Sequence, residues 1–97
     1  FGPSETNQQW LDGYNAFRGG ENLFAKRQDQ QALGCFNVAI ECGYETGRIY
    51  ESRGSCLQSL EFHPDAIEEY NKAIASEPED CNLYYMRSIS KHAYRPQ

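Results

Sequence analysis

A repeat of 34 residues is the feature that most constrains how this chain can fold. When residues 13–46 are aligned with residues 47–80, eight positions are identical, whereas typical residue usage predicts about two matches by chance. The period continues further, since Tyr50 matches Tyr84 and Arg53 matches Arg87. Such a period indicates copies of one supersecondary unit that stack because no copy buries its apolar face alone. The identical pairs are Gly13/Gly47, Gly20/Gly54, Leu23/Leu57, Ala32/Ala66, Asn37/Asn71, Ala39/Ala73, Ile40/Ile74 and Glu45/Glu79.

Each unit is predicted to be a pair of helices. The second half of each unit carries apolar residues at i, i+1, i+4, i+7 and i+8, which is the spacing of one helix face. No segment shows the alternating pattern of a strand. The two stripes are Ala32, Leu33, Phe36, Ala39 and Ile40 in the first unit, and Ala66, Ile67, Tyr70, Ala73 and Ile74 in the second.

Prolines, glycines and capping residues predict where the helices begin and end. His63-Pro64-Asp65 is expected to start a helix, because proline suits a first helical turn and acids favour its positive dipole end. Glu77-Pro78 and Gly43-Tyr44 are expected to end the two helix pairs. N-caps are predicted at four positions: Thr6 (in a capping box with Gln9), Asp29, Thr46 and Asp80.

Two repeated glycines predict that the paired helices approach closely. Gly20 and Gly54 lie in the middle of predicted helices, where glycine costs about 0.5–1 kcal/mol relative to alanine. A glycine that recurs at the period despite this cost indicates a tight contact. The aromatic residues Phe36 and Tyr70 are then expected to fill the gap to the next unit.

The repeat resembles the tetratricopeptide repeat (TPR), whose 34-residue pattern combines small, apolar, alanine, aromatic and proline positions. Residues 47–80 match it with Gly54, Leu57, Ala66, Tyr70, Ala73 and Pro78. Residues 13–46 match it with Gly20, Leu23, Ala32, Phe36 and Ala39, but Tyr44 stands where proline is usual. The resemblance implies an all-α fold, an antiparallel helix-pair superhelical solenoid. Its expected parts are an N-terminal helical extension (1–12), two repeats (13–46 and 47–80), and the first helix of a third repeat or a capping helix (81–97).

The resemblance also implies a concave groove lined by the first helix of each unit. Apolar anchors are expected at Phe17, Phe24, Tyr85 and Met86, and polar residues that fix the register of a ligand at Arg18, Arg48, Glu51 and Asn82. In the alternative interpretation, Phe17, Phe24, Tyr85, Met86 and Ile89 pack on Trp10 or on helices outside this chain. The predicted groove residues are Tyr14, Phe17, Arg18, Glu21, Phe24, Arg48, Glu51, Ser52, Ser55, Asn82, Tyr85, Met86 and Ile89.

The function expected from this resemblance is protein–protein interaction or scaffolding in the cytoplasm, with a peptide or helix of a partner protein held in the groove. The first alternative is oligomerisation or repeat stacking through the end helices. The second is binding of a heat-shock chaperone C-terminal peptide. The carboxylate-clamp residues of that activity are absent, because the matching positions hold Phe17, Glu21, Ser52, Asn82 and Met86.

Composition argues against several other classes of function. Nine Lys and Arg residues stand against 14 Asp and Glu, a net charge of −5, which disfavours binding to nucleic acid. Residues 61–80 are strongly acidic, and form either a solvated helix face or a docking face for a basic partner. No apolar run approaches membrane-spanning length. The four cysteines contain no C-x-x-C and neither histidine has a cysteine nearby, so no metal site, catalytic residue or cofactor is expected. The chain opens at Phe1 without a methionine and is expected to be an excerpt.

Overall fold

A computed structural model of the chain describes the backbone of residues 3–94 and the side chains of residues 8–94. This part of the chain contains five α-helices and no strand, which confirms the all-α prediction. Helices α1 and α2 pack on each other, α4 packs on both α3 and α5, and α3 also touches α5. The helices are α1 (Pro3–Ala25), α2 (Asp29–Glu41), α3 (Gly47–Ser59), α4 (His63–Ser76) and α5 (Cys81–Ala93).

The chain forms two compact units, Phe1–Glu45 and Thr46–Gln97. The first unit is the α1–α2 pair, and the second holds α3, α4 and α5. Adjacent helices pair within each unit, as the repeat pattern predicts. None of the five helices within residues 3–94 combines the length and the apolar character that a membrane crossing requires.

Most of the predicted helix ends are confirmed. Helix α4 begins at His63 with Pro64 in its first turn and ends at Ser76, immediately before Glu77-Pro78. Helix α2 ends at Glu41, and Gly43 beyond it adopts a φ of 88° that glycine accommodates without strain. Asp80 is the N-cap of α5, and its side chain accepts a hydrogen bond from the Asn82 backbone N–H at 3.0 Å.

Three predicted caps are wrong or incomplete. Thr6 lies inside α1, because that helix already begins at Pro3; residues 3–25 form one helix of 23 residues, so the extension is continuous with the first helix of the repeat. Asp29 is the first residue of α2, after the N-cap position at Gln28. Thr46 does occupy the N-cap position of α3, but its side chain makes no capping bond. Within the described residues, the buried Thr46 Oγ1 has no hydrogen-bond partner.

A turn that repeats at the 34-residue period displaces the expected cap at Asp29. Arg27 and Glu61 both adopt left-handed backbone conformations, with φ of 63° and 66°. The next backbone N–H donates to a carbonyl five residues earlier, from Gln28 to Leu23 and from Phe62 to Leu57. This bond closes the preceding helix in the manner of a Schellman motif. Gln28 and Phe62 then serve as the N-cap positions of α2 and α4.

The buried alanines and rings confirm the tight helix contact predicted from the glycines. Ala32, Ala39, Ala66 and Ala73 are all buried, as are Phe36 and Tyr70. A Cβ atom built on Gly20 would lie 2.6 Å from the Phe36 ring, and one on Gly54 would lie 3.0 Å from the Tyr70 ring. Each ring therefore lies over the glycine of its own helix pair. Tyr70 also forms a cluster with Leu83 of α5, the next helix along the chain.

Two neighbouring glycines provide a matched test of this contact. Gly20→Ala is expected to destabilise the first unit by about 1–3 kcal/mol, because its methyl group would overlap the Phe36 ring. Gly19→Ala is expected to stabilise it by about 0.5–1 kcal/mol, because a Cβ there meets nothing within 4 Å and alanine favours the helix. Urea titrations of both variants measure the difference. Equal changes in the free energy of unfolding would contradict the helix packing described here.

Candidate functional site

Gln58 joins helix α3 to helix α5 through two hydrogen bonds. Its Nε2 donates to the Met86 carbonyl oxygen and to Ser90 Oγ, both at 2.8 Å. Ser90 is fully buried, and its Oγ also lies 3.2 Å from Nδ1 of His63, the first residue of α4. Gln58 therefore ties α3 to the backbone and a buried side chain of α5 and fixes which sides of the two helices lie next to each other.

The same network includes the buried phenol of Tyr70. The Tyr70 hydroxyl donates to Gln58 Oε1 at 3.5 Å and lies 3.2 Å from Ser55 Oγ. Burial raises the pKa of the Tyr70 phenol above its usual value, and the hydrogen bond with Ser55 partly opposes that rise. The neutral phenol is therefore the form that the fold favours.

A polar row on α3 lies on the same side of that helix as Gln58. At 100° per residue, Glu51 and Ser55 lie within about 60° of Gln58, Arg48 lies about 80° from it and Ser52 about 120°. Arg48 is exposed, whereas Glu51, Ser52 and Ser55 are half-buried.

Helix α5, to which Gln58 is bonded, exposes an apolar pair. Met86, whose carbonyl receives the Gln58 amide, is half-buried against the core cluster of the second unit. Tyr85 and Ile89, one helical turn apart, are 63% and 38% exposed. Asn82 is exposed one turn before Met86. We call the surface formed by these residues the α3–α5 face. Its members are Arg48, Glu51, Ser52, Ser55, Asn82, Tyr85, Met86 and Ile89.

The predicted groove residues of the first unit all lie on α1, and most of them contact one another or the core. Tyr14 stacks on Trp10 with a centroid separation of 5.8 Å. The guanidinium of Arg18 lies over the Tyr14 ring and donates to its hydroxyl at 3.0 Å, while its Nε lies 3.8 Å from Glu21. Phe24 is half-buried.

Phe17 is buried, which corrects its expected role as an exposed anchor. Its side chain is 3% exposed, with ring centroids 5.9 Å from Phe36 and 5.4 Å from Tyr44. The physical reason lies at Tyr44, which stands where the family pattern has proline and packs its ring on Phe17. Phe17 and Trp10 both contact the ring of Tyr44, at centroid separations of 5.4 and 5.2 Å.

One acidic residue of the segment 61–80 is buried. Glu69 is 4% exposed, and its carboxylate accepts from Arg53 Nε at 2.6 Å and from Lys72 Nζ at 3.0 Å. Asp65 and Glu68 are exposed, as a solvated face requires. The pairing explains how Glu69 tolerates burial, because both carboxylate oxygens are bonded.

No group of three or more histidine, cysteine, aspartate and glutamate side chains within residues 8–94 could hold a metal ion. All four cysteines are free thiols, and Cys56 is the fully buried one. Comparisons with protein-family models, with curated proteins and with solved structures find no match to this chain.

Loss of the Gln58 amide is expected to destabilise the second unit. Gln58→Leu would remove the α3 amide from which the Met86 carbonyl and the buried Ser90 hydroxyl accept hydrogen bonds, at a cost of about 1–3 kcal/mol. Gln30→Leu, at an exposed position of α2, is the matched control and should change stability by less than about 0.5 kcal/mol. Urea titration measures both. Equal stability of the two variants would show that the bridge contributes nothing.

The Tyr70 phenol is expected to make stability depend on alkaline pH. Because its pKa is raised in the folded state, the unfolded chain releases the proton first as pH increases, from about pH 10 upward. The stabilisation is present below that pH and is lost as pH rises through the folded pKa. Tyr70→Phe should therefore flatten the alkaline decline in the free energy of unfolding, measured by urea titration between pH 8 and 11. An unchanged slope would contradict the burial of a neutral phenol.

Proposed function

We propose that the chain is a TPR-like repeat module that binds an extended peptide or a helix of another protein on the α3–α5 face. The repeat assignment is supported by the 34-residue period and by glycine–ring contacts at equivalent positions of the two units. The observation that carries the functional proposal is the exposed pair Tyr85 and Ile89 on α5, the helix that Gln58 joins to α3.

The chemistry of the face fits a mixed peptide. An apolar side chain of the ligand packs across Tyr85 and Ile89, where an aromatic ring supplies a large rigid contact area. Arg48 and Glu51 stand one turn apart and offer opposite charges, so a ligand with a basic and an acidic residue at the matching spacing gains orientation. Ser52 and Asn82 offer hydrogen bonds to an extended peptide backbone.

Hydrogen bonds and buried side chains hold the two helices beneath this face in place, which reduces the entropy lost on binding. Gln58 holds α3 against α5, and Tyr70 and Ser90 are fully buried below it. A ligand therefore meets side chains whose backbone positions are already fixed.

A selection from a displayed library of random peptides tests the proposal. Selected peptides should share an apolar residue and should bind the double variant Tyr85→Ala/Ile89→Ala at least about tenfold more weakly than the unchanged chain. The matched control is Phe62→Ala, which removes an aromatic ring that is 50% exposed in the turn before α4. That control should retain the affinity of the unchanged chain, as measured by isothermal titration calorimetry.

Two outcomes would contradict the proposal. One is a selection that yields no binding peptide. The other is a set of peptides that bind the double variant as tightly as the unchanged chain while circular dichroism shows that both are folded.

A further inference from the structure

The first unit carries an apolar groove between α1 and α2 that its own side chains leave open. Its volume is about 620 Å³. Val38 on its wall is 48% exposed, and a Cβ built on Gly34 meets nothing within 4 Å. We call this feature the α1–α2 groove. Its lining residues are Ala16, Leu23, Gln31, Gly34, Cys35 and Val38.

In the second unit, side chains of the unit itself occupy the position equivalent to the α1–α2 groove. Thirty-four residues after Ala16, Cys35 and Val38 stand Tyr50, Glu69 and Lys72. There, Glu69 accepts from Arg53 and Lys72, and the Lys72 ammonium lies 5.4 Å from the centre of the Tyr50 ring. The first unit has only small or aliphatic side chains at the three matching positions. The α1–α2 groove therefore presents apolar surface, whereas the second unit covers the equivalent surface with its own side chains.

Charges of opposite sign stand at the two ends of the α1–α2 groove. At one end, Asp12 lies four residues before Ala16 and Glu41 lies three residues after Val38, so both stand one turn beyond the lining residues. At the other end, Lys26 and Arg27 follow Leu23 by three and four residues, in the turn between α1 and α2, and the half-buried Asp29 is the first residue of α2. Asp12, Glu41, Lys26 and Arg27 are exposed. The groove is thus acidic at one end, apolar in the middle and basic at the other.

We propose that the α1–α2 groove binds the same groove of a second copy of this chain across a two-fold axis. A two-fold axis perpendicular to the groove reverses its direction in the partner, so the basic end of each copy faces the acidic end of the other. Val38 of each copy then packs over the small lining residues of the other copy's groove. A surface with this pattern of charge complements itself.

The size of the groove sets the expected strength of the dimer. The six lining residues of the groove offer less area than the roughly 800 Å² per partner of a stable interface. The dissociation constant is therefore expected in the range of about 10–1000 µM. The proposal is independent of the α3–α5 face, since its residues lie in the first unit.

Sedimentation equilibrium under reducing conditions, from about 10 µM to 1 mM chain, measures the association. The unchanged chain should show a concentration-dependent mass between monomer and dimer. Val38→Asp should remain monomeric throughout, because it places a charge in the apolar centre. Phe62→Asp is the matched control at an equally exposed apolar residue of the second unit, and it should dimerise like the unchanged chain.

Exchanging the charges of the two ends tests the orientation. Lys26→Glu/Arg27→Glu makes both ends acidic and should weaken the dimer at least about tenfold. Adding Asp12→Lys/Glu41→Lys restores opposite signs and should recover association. Glutamate is acceptable at position 27, since Glu61 adopts the same left-handed conformation at the equivalent position of the second unit.

Cysteine cross-linking locates the axis. Cys35 lies midway along the groove wall, so the two copies of this thiol come together near the axis. A chain that keeps only Cys35 should form a covalent dimer with diamide, which takes up the two protons and two electrons released as the disulfide forms. A chain that keeps only the exposed Cys81 should not, and Val38→Asp should suppress the Cys35 product. A monomer at 1 mM, or a dimer that survives Val38→Asp or cross-links through Cys81, would overturn the proposal.

Discussion

The contact between a glycine on one helix and an aromatic ring on its partner is the constraint on which the rest of the structure depends. Gly20 with Phe36 and Gly54 with Tyr70 bring the backbones of the paired helices close together, and alanines on either side of the rings maintain that approach. The contact recurs at the 34-residue period, so each unit acquires its helix pairing from the same two residue types. Any side chain at these glycines would have to displace the ring.

The second unit builds its candidate site on that contact. The Tyr70 ring packs on Gly54 while its hydroxyl reaches the α3 side chains Ser55 and Gln58. Gln58 in turn bonds to α5. One buried ring thus helps to position both the polar row of α3 and the helix that exposes Tyr85 and Ile89. The first unit has Phe36 at the equivalent position, which has no hydroxyl to support such a network.

The two units also differ in how they cover the outer face of the helix pair. Paired charges and a tyrosine ring cover this face in the second unit, whereas alanine, glycine, cysteine and valine leave a groove in the first. Because the first unit leaves apolar surface uncovered in this groove, there is a physical reason for the proposed self-association. The proposed dimer contact and the proposed peptide site involve residues of different units.

Local sequence signals predicted the helix pairs, the close approach of the helices at Gly20 and Gly54 and the cap at Asp80, because each depends on residues within one unit of the repeat. The rings of Phe36 and Tyr70 were expected to fill the gap to the next unit, whereas each lies against the glycine of its own helix pair. The left-handed turns at Arg27 and Glu61 were not predicted, since neither residue is glycine and the turn is set by backbone hydrogen bonds to the preceding helix. The packing of Phe17 was predicted only as the alternative to a groove position, and its contact with Tyr44 was not predicted because Tyr44 stands where the family pattern has proline.

The candidate site was predicted in part. The resemblance to the tetratricopeptide repeat implied that Tyr85 and Ile89 are groove residues, but the hydrogen bonds that hold α5 against α3 are non-local. Gln58 and Ser90 are separated by 32 residues, and nothing in either segment alone identifies the other. The buried ion pair of Glu69 was not predicted for the same reason, because the acidic composition of residues 61–80 does not indicate that one carboxylate contacts Arg53.

Proton–proton nuclear Overhauser contacts in solution test whether each ring packs on the glycine of its own helix pair. Cross-peaks are expected from the α-protons of Gly20 to the Phe36 ring and from those of Gly54 to the Tyr70 ring, with both glycines showing ring-current shifts. Cross-peaks at one glycine alone would mean that the repeat does not fix the same packing in both units. The absence of both would contradict the glycine–ring contact as the basis of the fold.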